Sequence, residues 1–163
     1  MATIGRALGM KVIFAERKGV LATSIREGRT EFTEAIKAST VLMITLPLSP
    51  STLSLISDSE FALMRPDALV INVARGGIVD ESALVSALKE NKIAGSATDV
   101  FIKEPAGKES VLVQAANQEW AKGILVLSPH LAWLARSSIE KLRKTTTENI
   151  EGWWRGKVQN AIL

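Results

Sequence analysis

Five short apolar runs are separated by stretches whose apolar residues recur every three or four positions. The runs are Lys11–Ala15, Val41–Leu46, Ala68–Val73, Ser96–Phe101 and Ile124–Leu127. They are continuously apolar rather than alternating, which is the pattern of strands covered on both faces in a parallel sheet. The intervening periodic stretches predict helices over Glu31–Ala38, Ser57–Met64, Asp80–Asn91 and Ser137–Arg155. Ser57 and Asp58 are N-cap candidates for the second, which stops before Arg65-Pro66. Asp80 caps the third, whose Ala83, Leu84, Ala87 and Leu88 share one face. The last carries Ile139, Leu142, Thr146 and Ile150 at helical spacing. Strand–helix alternation of this kind predicts an α/β fold with a doubly wound parallel sheet. Right-handed crossovers then put every strand's carboxyl end on one edge, where the loops form a site.

Composition narrows the chemistry. At 163 residues, 47% of them hydrophobic, the chain makes one domain with a full core, built of aliphatic side chains because only 5% are aromatic. There is no cysteine and one histidine, which excludes disulfides, thiolate metal sites and a Cys nucleophile. No EF-hand-like spacing appears, so no metal is expected. The net charge is +3, with a modest basic cluster at Arg136, Lys141, Arg143 and Lys144. Such residues on a helix mostly serve solubility, and no nucleic-acid partner is expected. No apolar run reaches membrane-spanning length and no signal-peptide layout opens the chain, so a cytoplasmic location without a membrane partner is expected.

Three segments carry candidate chemistry. In Asn72–Asp80 a strand ends, Arg75 follows, and Gly76-Gly77 let the backbone turn before a helix; an Arg there can clamp a carboxylate or keto oxygen bidentately. In Gly95–Pro105, Asp99 interrupts an apolar strand and Glu104 sits in the loop beyond it. Ser128-Pro129-His130 closes the last strand, and His130 is the only side chain suited to exchanging a proton near neutral pH. A single loop histidine is ordinarily a surface residue; Glu104 beside it would orient the ring and hold its proton.

The stretches GMKVIFAERKG (9–19), LPLSPST (46–52), ALMRPDALVINVARGGIVDESALVSAL (62–88), AGSATDVFIKEP (94–105) and SPHLAW (128–133) resemble the D-2-hydroxyacid dehydrogenase family, in particular its glyoxylate/hydroxypyruvate reductase and glycerate dehydrogenase branch. The closing TENIEGWWRGKVQN is also similar. The resemblance implies that Arg75 binds the substrate carboxylate and carbonyl, that Glu104 supports His130, and that His130 is the acid/base protonating the carbonyl oxygen as hydride arrives. It implies that Asp99 contacts the nicotinamide amide, that Glu16 holds the adenosine ribose hydroxyls, that Thr45, Leu46 and Pro47 line the adenosine side, and that Val73 and Ala74 flank the cofactor. An acid at Glu16 favours NAD over NADP, while Arg17 and Lys18 keep NADP possible. The implied ligand is a small 2-oxo or 2-hydroxy acid.

The resemblance covers a Rossmann-like domain lacking its first strand and glycine loop. No G-x-G-x-x-G precedes Lys11, and the family's separate substrate domain has no counterpart. Residues 1–163 are therefore expected to be a single, incomplete NAD-binding-type domain. Ile4–Leu8 fits the end of the family's first helix, or else Thr3–Gly5 is a remnant of the glycine loop; the first is preferred because Arg6–Val12 reads straight into a strand. A sheet without its central strand leaves two unpaired edges, so Lys11–Ala15 is expected either to close against Val41–Leu46 or to pair across a homodimer. Three functions follow: an NAD(H)-dependent reductase of a 2-oxo acid, a cofactor-free acid/base enzyme on a small carbonyl metabolite, or a non-catalytic dimerising pseudoenzyme.

Overall fold

The computed structural model describes residues 1–161 and divides into two compact units, Met1–Pro129 and a second beginning at His130. The first holds a parallel sheet of β1 (Val41–Ile44), β2 (Leu69–Asn72), β3 (Gly95–Thr98) and β4 (Leu125–Leu127), in the order β1-β2-β3-β4. Register runs Val41 to Leu69 to Gly95, and Ser96 to Leu125. Helices α3 (Asp58–Phe61), α4 (Glu81–Lys89) and α5 (Val111–Ala116) make the crossovers. Strands advancing in one direction by right-handed crossovers place these helices on one face, and α3 with α4 and α4 with α5 pack together. Two further helices precede the sheet, α1 (Ala2–Ala7) and α2 (Phe32–Ala38), and α6 (Arg136–Trp154) lies in the second unit.

The predicted helix faces carry the core. Ala83, Leu84, Ala87 and Leu88 of α4 are all buried, beside Val70, Ile78, Ile36 and Phe61. Asp80 caps α4 by accepting from the Ala83 N–H at 2.9 Å. Ser57 and Glu60 form a capping box at α3, with the Ser57 N–H donating to Glu60 Oε2 at 3.1 Å. In α6, by contrast, Leu142 and Ile150 are exposed. Ile4–Ala7 is helical, as expected of the end of a helix, and α1 is followed by its C-cap Leu8 and by Gly9 at a left-handed φ of 77°.

One expected strand fails. Lys11–Ala15 does not close against Val41–Leu46: the only described strand paired with β1 is β2. The segment's ladder contact is a single parallel bridge from Ala15 to Thr30, with Glu16 N–H donating to Thr30 O at 2.7 Å and Thr30 N–H to Phe14 O at 2.8 Å. Extended backbone becomes a strand only where a neighbour supplies ladder bonds along its length, and here the neighbour is one residue. Helix α5 was not expected; Leu112 and Ala115 are buried three apart, but Val111-Leu112-Val113 alone reads as a strand.

Truncating Leu88 tests which helix carries stability. Leu88→Ala, at a side chain 1% exposed, should cost about 2–5 kcal/mol in urea unfolding. Leu142→Ala, at 58% exposure, should change it by less than about 0.5 kcal/mol.

Candidate active site

All four strands end on the same edge, so the loops after them lie in strand order. Thr45, Leu46 and Pro47 leave β1 and are exposed; Val73, Ala74 and Arg75 leave β2; Asp99 follows β3; Ser128-Pro129 leaves β4. His130 comes next in the chain and opens the second unit.

The turn bearing Arg75 is built by Asn72, a residue the sequence reading passed over. Its buried side chain donates from Nδ2 to Arg75 O at 3.0 Å and accepts from Ala74 N–H at 3.1 Å. An Asn closing an apolar strand is a recognisable local turn-former, and that was the available signal. Arg75 itself is exposed, with one guanidinium nitrogen donating to Ala74 O at 2.6 Å. Gly76 then crosses the Asp99–Pro105 loop so tightly that an added Cβ would lie 1.8 Å from Phe101 O. Only glycine fits there, and the crossing ties the Arg75 loop to the Glu104 loop.

The second loop is fastened by carboxylates. Glu104 Oε1 accepts from Phe101 N–H at 2.9 Å, and Glu81 Oε1, in the first turn of α4, accepts from Ile102 N–H at 2.7 Å. Asp99 is buried at the end of β3, where its N–H donates to Asn72 O at 3.0 Å. In the second unit His130 adopts a left-handed φ of 57°, and the Trp133 indole N–H donates to its carbonyl at 2.8 Å. A non-glycine residue held there costs free energy, a feature concentrated at functional sites.

Glu16, at the end of the Lys11–Ala15 segment, is 4% exposed. Its Oε1 accepts from the Arg17 N–H at 2.8 Å and from an Arg26 terminal nitrogen; its Oε2 accepts from the Arg26 Nε at 2.8 Å and backbone N–H at 3.2 Å. The Arg26 guanidinium, followed by the Arg17 N–H, holds this carboxyl well below the usual range. Nearby, Lys18 pairs with the buried Glu60 at 2.6 Å. The buried carboxylate thus holds one guanidinium, that of Arg26, in a fixed orientation at the end of this segment.

The family described as D-isomer specific 2-hydroxyacid dehydrogenase, NAD binding domain, matches residues 1–132. The chain belongs to this family. A putative 2-hydroxyacid dehydrogenase of Haemophilus influenzae is 38% identical over 148 residues, covering 91% of this chain and 45% of that protein. A glyoxylate reductase of Aeropyrum pernix is 35% identical over 160 residues, covering 97% and 46%. Among solved structures, an acyclic imino acid reductase in complex with NADPH and D-Arg superposes with a TM-score of 0.80 at 31% identity, covering 99% of this chain and 49% of that one. The chain thus spans about half the length of the dehydrogenase relatives it matches. Its Rossmann-like α/β fold is that of the 2-hydroxyacid dehydrogenases.

The depressed Glu16 carboxyl makes a pH prediction. Its pKa is lower folded than unfolded, so its contribution to stability is complete above the ordinary value of 4.5 and is lost as pH falls through the folded value. Urea midpoints measured from about pH 6 to about pH 3 should fall more steeply for the wild type than for Glu16→Gln. Equal slopes would contradict the assignment.

Proposed function

We propose that this chain is the dinucleotide-binding half of a 2-hydroxyacid dehydrogenase, reducing a small 2-oxo acid with NAD(P)H. The observation carrying this reading is the edge on which Asn72 shapes the Arg75 turn and Gly76 locks that turn against the loop bearing Glu104. The dinucleotide, when bound, supplies the hydride. Arg75 presents a permanently charged planar fork suited to the substrate carboxylate and to the carbonyl oxygen on which charge develops. His130 delivers a proton to that oxygen as general acid and removes it in the reverse direction. Glu104, on a loop pinned at Phe101 and Ile102, is the carboxylate to which this reading gives the role of supporting the acid/base. Asp99, Val73 and Ala74 serve the nicotinamide side, and Glu16 with Thr45, Leu46 and Pro47 the adenosine side.

The reading also takes the protein as cytoplasmic and homodimeric. Among the described residues no helix is long and apolar enough to cross a membrane. In support of a dimer, β1 has one strand partner and carries Met43 at 37% exposure.

Purified protein with NADH or NADPH and glyoxylate or hydroxypyruvate should show loss of nicotinamide absorbance. His130→Ala should lower kcat by about 10²- to 10⁴-fold. Arg75→Ala should act chiefly on KM, by about tenfold or more, because a charge-assisted contact to bound substrate is lost. No turnover together with no dinucleotide binding by calorimetry would reject the reading. Light scattering after size exclusion should give twice the chain mass; a monomer would remove the dimer.

A further inference from the structure

Positive charge gathers in two stretches of this protein, Lys11–Arg29 and Arg136–Lys157. Between Lys11 and Arg29 stand five cationic side chains and two carboxylates, an excess equal to the +3 of the whole chain. In the basic cluster that the sequence draws attention to, in α6, two of the four cations are paired along the helix, Arg136 with Glu140 and Lys144 with Glu148. Around the end of the Lys11–Glu16 segment the groups are Arg17, exposed; Arg26, half-exposed; and Arg29, whose guanidinium donates to Ala15 O at 2.9 Å. Lys18 is engaged by Glu60.

Glu16 cannot serve a ribose diol as it stands. An ionised carboxylate has about four acceptor positions. Two backbone N–H groups and two guanidinium donors occupy four. A nucleotide with free 2′- and 3′-hydroxyls would have to displace Arg26 to use this acid. Arg26 is in the opposite condition. Of the five N–H donors of a guanidinium, two are spent on Glu16, which leaves three on a fork whose orientation the carboxylate fixes. A phosphate brings its own acceptors and its own negative charge to such a fork.

We infer that this corner takes the 2′-phosphate of an adenine dinucleotide, with Arg26, anchored on Glu16, as the specificity-determining residue and Arg17 beside it. This rests on the dinucleotide reading above and adds to it the choice between the two cofactors. An acid at the end of this segment ordinarily selects the free 2′-hydroxyl; here its acceptors are consumed and its charge is offset.

The test is calorimetric binding of adenosine 2′,5′-bisphosphate and of 5′-AMP to the full chain, with NADH binding measured alongside. The bisphosphate should bind at least about tenfold more tightly, the scale of one charge-assisted hydrogen bond. Arg26→Ala should bring the two affinities together, and Arg26→Lys, keeping charge without the fork, should retain part of the difference. Added salt should narrow it. Equal or tighter binding of 5′-AMP by the wild type overturns the inference, as does a ratio unchanged in Arg26→Ala. If Arg26→Ala does not fold, the wild-type ratio and Arg26→Lys decide, and an undiminished ratio in the latter overturns it. NADH binding without a bisphosphate advantage removes this inference alone; no binding of NADH or either nucleotide removes the dinucleotide reading with it.

Discussion

The approach of Gly76 to the Phe101 carbonyl is the contact on which the arrangement of the strand-end loops depends. Two loops that leave different strands cross with no room for a Cβ, so neither can shift without the other. Sheet register brings them to that meeting point: Asn72 pairs with Thr98 at the last rung, and both residues then turn the chain with their own side chains. Asn72 holds the Ala74–Arg75 backbone, and Thr98 donates to Val100 O at 2.9 Å. Arg75 and the carboxylates of the next loop are therefore displayed by backbone that is fixed from beneath. A guanidinium so mounted loses less freedom on binding an anion than one on a mobile loop.

Legibility in the sequence followed how local the cause was. The face of α4 and the caps at Asp80 and Ser57 depend on residues within one helical turn, and they stood in the sequence as they stand in the fold. So did the ends of β1 to β4, to within a few residues. What failed was anything set by a partner elsewhere. Lys11–Ala15 has the composition of a buried strand, yet strand identity lies in ladder bonds, and Thr30 alone provides them. α5 is six residues long with a β-branched start, so its helical state follows from Leu112 and Ala115 meeting the core rather than from propensity.

The site shows the same division. Arg75, Glu104 and His130 stand out in the sequence because they fall in turns after strands, and the roles proposed for them come from the family resemblance. Asn72 does not, because its role is to hold backbone rather than to meet a ligand. Arg26 was invisible for a different reason. It lies ten residues beyond the acid it binds, across a loop containing the 3-10 turn Ala22–Ser24 and the left-handed Gly19. Reading Glu16 from sequence treats it as an open carboxylate, whereas the folded loop returns a guanidinium to it.

That returned guanidinium changes what net charge means in this chain. Spread evenly, three positive charges would act only as a weak general field, screened within about 10 Å at ordinary ionic strength. Between Lys11 and Arg29 one of these cations, Arg26, is held on the buried Glu16 and acts at short range. Along α6 and its C-cap, Arg136, Lys144 and Arg155 each meet a glutamate four residues away, while Lys141 and Arg143 add to the helix's positive charge. The two basic regions are alike in net charge and differ in arrangement: one pairs its cations with exposed carboxylates along its own helix, while the other uses the buried Glu16 to orient Arg26.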